Sequence, residues 1–285
     1  MMDTIRRFLL EDLDIRGAVV RLGASWHQMQ ADRDYGAAER DLLGELTAVT
    51  TLIASNLKLP GRMTFQLQGH GPVRMLVVDC DEQLRLRGMA KKREAVVAPG
   101  PLPQLVGDGQ LMLTLQTNVA AERPYQSMVP IEGDTLASVF ENYLERSEQT
   151  PTRLWLAADE THACGLFLQK LPGADERDAD GWNRIVQLAS TVKPAELALP
   201  ADALLMRLFA EETLRLYDPR PVQYHCPRDE EKVLAMLTTL GRDEVAEMLE
   251  EQGEILVRDD ICNQEYRYGP DILDRLFPSP SQLLH

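Results

Sequence analysis

A change of hydrophobic period just short of residue 60 constrains the fold of this 285-residue sequence more than any other feature. Across residues 41–56, Leu42, Leu43, Leu46, Val49, Leu52 and Ile53 recur at spacings of three and four, which predicts a helix with one buried stripe. Directly afterwards Met63, Phe65 and Leu67 alternate with Thr64, Gln66 and Gln68. Gly71-Pro72 then separates this run from the apolar residues 73–78, which predicts a hairpin. Alternation at Leu84/Leu86 and at Leu111/Leu113/Leu115 adds strands, and 153–157 with 165–169 form another predicted pair. Leu136, Val139, Phe140, Tyr143 and Leu144 predict a second helix behind Asp134 as N-cap. Strands in neighbouring hairpins with helices between the groups imply an α+β fold on antiparallel sheet, not a doubly wound parallel one.

Residues 172–182 are polar and charged without periodicity and predict a boundary. The expected organisation is an N-terminal α+β core domain over 1–178, a helical linker over 179–221 and a small C-terminal α/β domain over 222–285. In the linker, Ile185, Val186, Leu188, Leu204, Leu205, Leu208, Phe209 and Leu214 follow a helical period broken by Pro194 and Pro200. The tail reads as helices over 231–240 and 242–251, strands at 254–257 and 266–268, and a last helix near 271–276.

The formal charge of -15 argues against a polyphosphate partner, and Lys and Arg form no long run. The first residues mix Arg6, Arg7, Glu11 and Asp12 with apolar ones, unlike a signal peptide, and no stretch approaches the roughly 20 apolar residues of a membrane span. A cytoplasmic location is therefore expected, with Cys80, Cys164, Cys226 and Cys262 resting as thiols. Cys80 and Cys164 border predicted strands and read as buried structural thiols, whereas His27, His70, His162 and His285 lack metal-site spacing and read as surface or turn residues. The chain has no phosphate-binding loop, nucleophile elbow or His-Glu-X-X-His motif, which argues against an enzyme.

The tail sequence Gly241-Arg-Asp-Glu-Val-Ala-Glu-Met-Leu-Glu-Glu-Gln-Gly-Glu-Ile-Leu-Val-Arg-Asp-Asp-Ile-Cys-Asn-Gln-Glu-Tyr resembles the redox domain of the 33 kDa chaperonin (heat-shock protein 33) family. Leu42-Leu-Gly-Glu-Leu, Phe65-Gln-Leu-Gln-Gly-His-Gly-Pro, Leu86-Arg-Gly, Leu105-Val-Gly-Asp-Gly, Ile131-Glu-Gly-Asp-Thr-Leu and Arg146-Ser-Glu-Gln-Thr-Pro-Thr are similar to its other signatures, in order along the chain. The resemblance implies an ATP-independent holdase that captures unfolding clients and forms a homodimer when activated. In that family a Cys-X-Cys and a Cys-X-X-Cys hold one zinc ion. Oxidation forms disulfides, expels the metal and unfolds the tail and linker.

Matched to that pattern, Cys226 keeps one position and Arg228 replaces the next cysteine, while Asp259 replaces the third and Cys262 keeps the fourth. Zinc would then have to use Cys226, Cys262, Asp259 and His225, against an Arg228 guanidinium that has no lone pair and repels a dication. No cofactor is the main expectation, with zinc through that set the other. The resemblance implies an ion pair of Arg228 with Asp259 in place of the metal; the other reading leaves both solvated. It also brings Cys226 and Cys262 close enough for one disulfide under oxidant and heat, a simplified redox switch. The other reading is two inert cysteines in a constitutive or heat-activated interaction module. Ile185, Leu188, Leu204, Leu205, Leu208 and Phe209 are the expected client-binding surface, packed as core at rest.

Overall fold

The protein, as a computed structural model, is described over residues 2–56, 61–93, 98–118 and 123–278; His285 lies outside the described residues. The chain folds as two compact units, Met1–His225 and Cys226–His285.

In the first unit the hairpin β1 (Thr4–Leu10) and β2 (Ile15–Leu22) leads into α1 (Ala24–Gln30) and α2 (Ala37–Ala54). A meander of β3 (Gly61–Gln68), β4 (Val73–Asp81) and β5 (Arg85–Lys92) follows, then α3 (Leu102–Val106), β6 (Gln110–Thr117), β7 (Tyr125–Val129) and α4 (Leu136–Glu148). After the hairpin β8 (Thr152–Ala158) and β9 (Ala163–Lys170) come α5 (Ala174–Arg177), α6 (Gly181–Ala189), α7 (Pro194–Leu197) and α8 (Ala201–Leu208). Three short strands, β10 (Leu214–Leu216), β11 (Arg220–Pro221) and β12 (Gln223–Tyr224), end the unit. One sheet runs β10-β1-β2-β9-β8 with β11 also on β1, and the other runs β12-β5-β4-β3-β6-β7. The fold is α+β, and the hairpins read from residues 63–78 and 153–169 are present in it.

Helix α2 lies between the two sheets, and this changes the reading of its sequence. The apolar stripe Leu42, Leu43, Leu46, Val49 and Leu52 is buried as expected, but so are Gly44, Thr47, Ala48, Thr50 and Thr51 outside it. The three threonine hydroxyls meet no water and donate to the carbonyls of Leu43, Leu46 and Thr47 one turn back, at 2.7, 2.6 and 2.7 Å. A Cβ on Gly44 would come within 2.4 Å of the Ala158 Cβ, so the close approach of helix to strand needs glycine. Helix α4 is capped by Thr135, not Asp134. The Thr135 hydroxyl accepts the Ser138 backbone N–H at 3.1 Å and the Ser138 hydroxyl accepts the Thr135 backbone N–H at 3.2 Å, a reciprocal pair that Asp134 would not make from one position earlier.

The boundary expected at 172–182 is not where the chain divides. The Leu171 backbone N–H donates to the Asp14 carbonyl and Arg177 to the Glu11 carbonyl, which sews this segment to the β1–β2 turn. Arg184 bridges Asp178 and Glu212. Past it, α6, α7 and α8 cover the second face of the β1-β2-β9 sheet, so the expected separate linker is part of the first unit's core. Phe8, Ile15, Val19, Leu166 and Leu168 from the strands meet Ile185, Leu197, Leu204, Leu205, Leu208 and Phe209 from the helices. Residues 214–225 then run from the edge of one sheet to the edge of the other. Arg220 donates to the Ser55 and Glu82 carbonyls, and the His225 backbone N–H to the Leu86 carbonyl. Among the described residues no helix is long and apolar enough to cross a membrane.

Phe8 pairs across the strands with Gly17, and a Cβ there would lie 2.2 Å from the ring. Gly17→Ala is expected to lower the stability of the first unit by roughly 1–3 kcal/mol, read as a shift of its urea midpoint. In α2, Glu45 lines a cavity of about 140 Å³ with Asp41, Leu102, Asp134 and Leu136. Burial, with Asp41 beside it, pushes Glu45 up to about 7. A carboxyl raised on folding favours the fold fully below its unfolded value near 4.5 and loses that contribution as pH rises through about 7. Glu45→Gln should therefore stabilise the unit at pH 8, by up to roughly 1–3 kcal/mol, and the gain should vanish near pH 4 in denaturant titrations.

Candidate functional site

The site lies in the second unit, where α9 (Glu230–Leu240), α10 (Arg242–Gln252), the hairpin β13 (Ile255–Arg258) with β14 (Glu265–Tyr268), and α11 (Ile272–Leu276) follow the expected order. Asp229 caps α9 by accepting the Lys232 backbone N–H at 3.1 Å. Val233 and Leu237 of α9 and Val245 and Leu249 of α10 pack with Ile255, Tyr266, Tyr268 and Ile272. This is a small core, and the unit's chain entry is tied to it through the turn between β13 and β14.

That turn is built by Asp259. Its carboxylate accepts the backbone N–H groups of Ile261 and Cys262 at 2.7 and 2.9 Å, and its own N–H and C=O pair with Gln264 and Asn263 across the turn. Asn263 takes the left-handed conformation that closes it, with φ 56°. Cys262 is thereby presented to Cys226, and the two form a disulfide, with Cα atoms 5.9 Å apart and a sequence separation of 36. That separation is inside the roughly 4.4–6.8 Å span that disulfides use.

Around the disulfide the same two segments are joined by polar contacts. Gln264 Nε2 donates to the Cys226 carbonyl at 2.7 Å, and the Asp229 N–H to the Tyr266 hydroxyl at 2.9 Å. Arg228 Nη2 donates to the Glu265 carbonyl at 2.9 Å, with its guanidinium 4.6 Å from the centre of the Tyr266 ring. The expected Arg228–Asp259 ion pair is therefore not formed. Asp259 satisfies its oxygen on nearby backbone N–H groups, which restricts few bonds, and the flat Arg228 cation takes an aromatic face and a carbonyl. Both residues serve the clasp, but separately. Gln264 and Tyr266 carry much of it and were not singled out in sequence, where a glutamine and a strand tyrosine give no chemical signal.

The four residues considered for zinc do not assemble. Among the described residues no group of three or more His, Cys, Asp or Glu side chains is placed to hold a metal ion. The sulfurs of Cys226 and Cys262 are bonded to each other, the Asp259 carboxylate is occupied by its turn, and the exposed His225 is fixed by its backbone alone. This donor set does not fit the closed four-ligand site that structural zinc requires.

Cys80 and Cys164 are free thiols buried in β4 and β9. Burial pushes the Cys80 thiol far up and the Cys164 thiol to about 12, which keeps both unreactive. Ile185, Leu204, Leu205, Leu208 and Phe209 are all buried, with Leu188 partly buried beside them, so the expected client-binding residues stand in this structure as core.

Comparison with known proteins places these features in a family. Residues 3–269 match the family described as Hsp33 protein. The 33 kDa chaperonin of Nitrosococcus oceani is 42% identical over 276 residues, covering 96% of this chain and 94% of that protein. The 33 kDa chaperonin of Methylobacillus flagellatus is 40% identical over 278 residues with the same coverage. A crystal structure of a 33 kDa chaperonin from Thermotoga maritima superposes with a TM-score of 0.79 over 97% of this chain and 98% of that one, at 21% identity, a likeness of fold. These relatives are all named as chaperonins. A match across nearly the whole length, carried by both the sheet unit and the cysteine-bearing tail, makes this chain a member of the Hsp33 family.

Proposed function

We propose that this chain is an ATP-independent holdase that binds unfolding proteins and keeps them from aggregating, gated by the stability of its C-terminal unit. The observation that carries this reading is the clasp. A unit with few core side chains is held at its chain entry by one disulfide and a handful of polar contacts, and so has little reserve against heat. Residues 214–225 lead out of α8 along the edges of both sheets and end at that entry. Fraying that starts in the tail has a continuous path to the helices.

Clients are captured by the apolar faces of α6 and α8, through Ile185, Leu188, Leu204, Leu205, Leu208 and Phe209, once these helices leave the sheet they cover. Adaptable leucine-rich surface without fixed polar partners suits many unfolded chains. Cys226 and Cys262 are the redox-responsive element. The activated form pairs with a second copy, the location is cytoplasmic, and neither nucleic acid nor membrane is a partner, in keeping with the charge of -15.

The chain works without a metal staple, because Arg228 and Asp259 leave two sulfur donors where structural zinc takes four ligands. Elemental analysis of the reduced protein should find well under one zinc per chain, and stoichiometric zinc would overturn this part. The holdase reading is tested by light scattering of a thermolabile enzyme heated with the protein, with hydrogen exchange followed in parallel. Aggregation should be suppressed above a threshold temperature without ATP, and amides of 181–209 should lose protection at the same threshold. Suppression with 181–209 still protected would move the client surface elsewhere, and no suppression at any temperature would end the holdase reading.

A further inference from the structure

The C-terminal unit is completely folded with its two cysteines joined. The β13–β14 ladder keeps register from Ile255 opposite Tyr268 to Arg258 opposite Glu265, the Asp259 turn is closed, and the core around Leu237, Val245 and Ile255 is buried. None of these elements gives way to let Cys226 and Cys262 meet. In the scheme implied by the resemblance, oxidation unfolds the tail because it consumes the thiolates that hold a metal. Here the donor set does not fit a metal, so oxidation forfeits no such staple. The one bond it makes joins the same two segments that Gln264, Arg228 and Tyr266 already join.

We propose that the Cys226–Cys262 disulfide is the staple of this tail, so that oxidation stabilises the C-terminal unit and reduction primes it to unfold, the opposite sign to the family's switch. Both cysteines are half-buried and so within reach of a small thiol. A dithiol reductant opens the bond in two exchanges. Its thiolate attacks one sulfur to give a mixed disulfide while the other cysteine leaves as thiolate, and its second thiol then displaces the first cysteine. Two electrons pass to the protein, two protons end on Cys226 and Cys262, and the reductant departs as its cyclic disulfide. Hydrogen peroxide reverses the change, two thiols giving the disulfide and two waters. The sign follows from the folded unit alone, whereas its consequence for client binding rests on the holdase reading above.

Removing the cross-link frees a 36-residue span in the unfolded unit. Loop-closure entropy puts the effect at roughly several hundred-fold in the folding equilibrium, or on the order of 10 °C or more in melting midpoint. The experiment uses the full chain in three forms: peroxide-oxidised, dithiothreitol-reduced, and the double variant Cys226→Ser/Cys262→Ser. Hydrogen exchange across 230–276 and client aggregation are followed against temperature. The oxidised tail should hold its protection to a midpoint about 10 °C or more above the reduced one, with the onset of client holding shifted in parallel. The double variant should track the reduced form in both. A tail that loses protection at the same or lower temperature when oxidised overturns the staple, as does a double variant that behaves like the oxidised protein. Should protection follow the expected order while no form holds clients, the holdase reading fails and the staple stands. Client holding that rises with oxidation as the tail loses protection sinks the staple and leaves the holdase.

Discussion

Helix α2 is buried along most of its surface between the two sheets, and the rest of the first unit is arranged around that burial. A helix in this position has only a narrow wet edge, at Arg40 and Asp41, so the rest of its sequence must either be apolar or satisfy itself. Leu42, Leu43, Leu46, Val49 and Leu52 do the first, and Thr47, Thr50 and Thr51 do the second by turning their hydroxyls back onto the helix. Gly44 and Ala48 let the strands come close. The two sheets can then share one continuous core, which includes Phe65 and Phe140 in edge-to-face contact at 4.8 Å.

The second face of the β1-β2-β9 sheet creates the functional tension in the molecule. Phe8, Ile15, Val19 and Leu168 must be covered, and α6 and α8 cover them with Ile185, Leu204, Leu205 and Leu208. Under the proposed function, one set of side chains serves two incompatible contacts, this core and the client. Core burial of Leu204, Leu205 and Phe209 stabilises the closed form by roughly 1.5–3 kcal/mol each. Under the proposed function, their service as a binding surface depends on something that loosens this layer cooperatively, not residue by residue.

The tail is a natural place for such a trigger because its stability is concentrated in few contacts. A structural zinc ion contributes on the order of 10 kcal/mol to the fold that holds it. A single disulfide closing 36 residues contributes on the order of 3–4 kcal/mol by loop entropy, and a partly exposed arginine–aromatic contact about 1. Under the proposal above, exchange of the one for the other leaves a fold of the same outline with a smaller margin. Under the same proposal the chemical meaning of oxidation changes, since the sulfur–sulfur bond joins the segments that a metal would join.

Much of this was legible in one dimension. Alternation at Met63, Phe65 and Leu67, the helical spacing of 41–56 and the order of helices and strands after Glu230 are local properties of the chain, and they fixed the α+β class, the main hairpins and the plan of the tail. The pairing of Cys226 with Cys262 was readable because the surrounding motif was. What the tertiary structure decided is where each element finds its cover. The polar stretch 172–182 looks like a linker, yet the Arg177 side chain and the Leu171 N–H just before it are tied to the β1–β2 turn. Residues 179–221 look separable until the sheet face that they close is seen. Arg228 and Asp259 suggest an ion pair by charge, but a nearby turn and an aromatic face each meet their needs at lower entropic cost. Periodicity and charge are written residue by residue; which of two available partners a side chain takes depends on distances that exist only after the chain has folded.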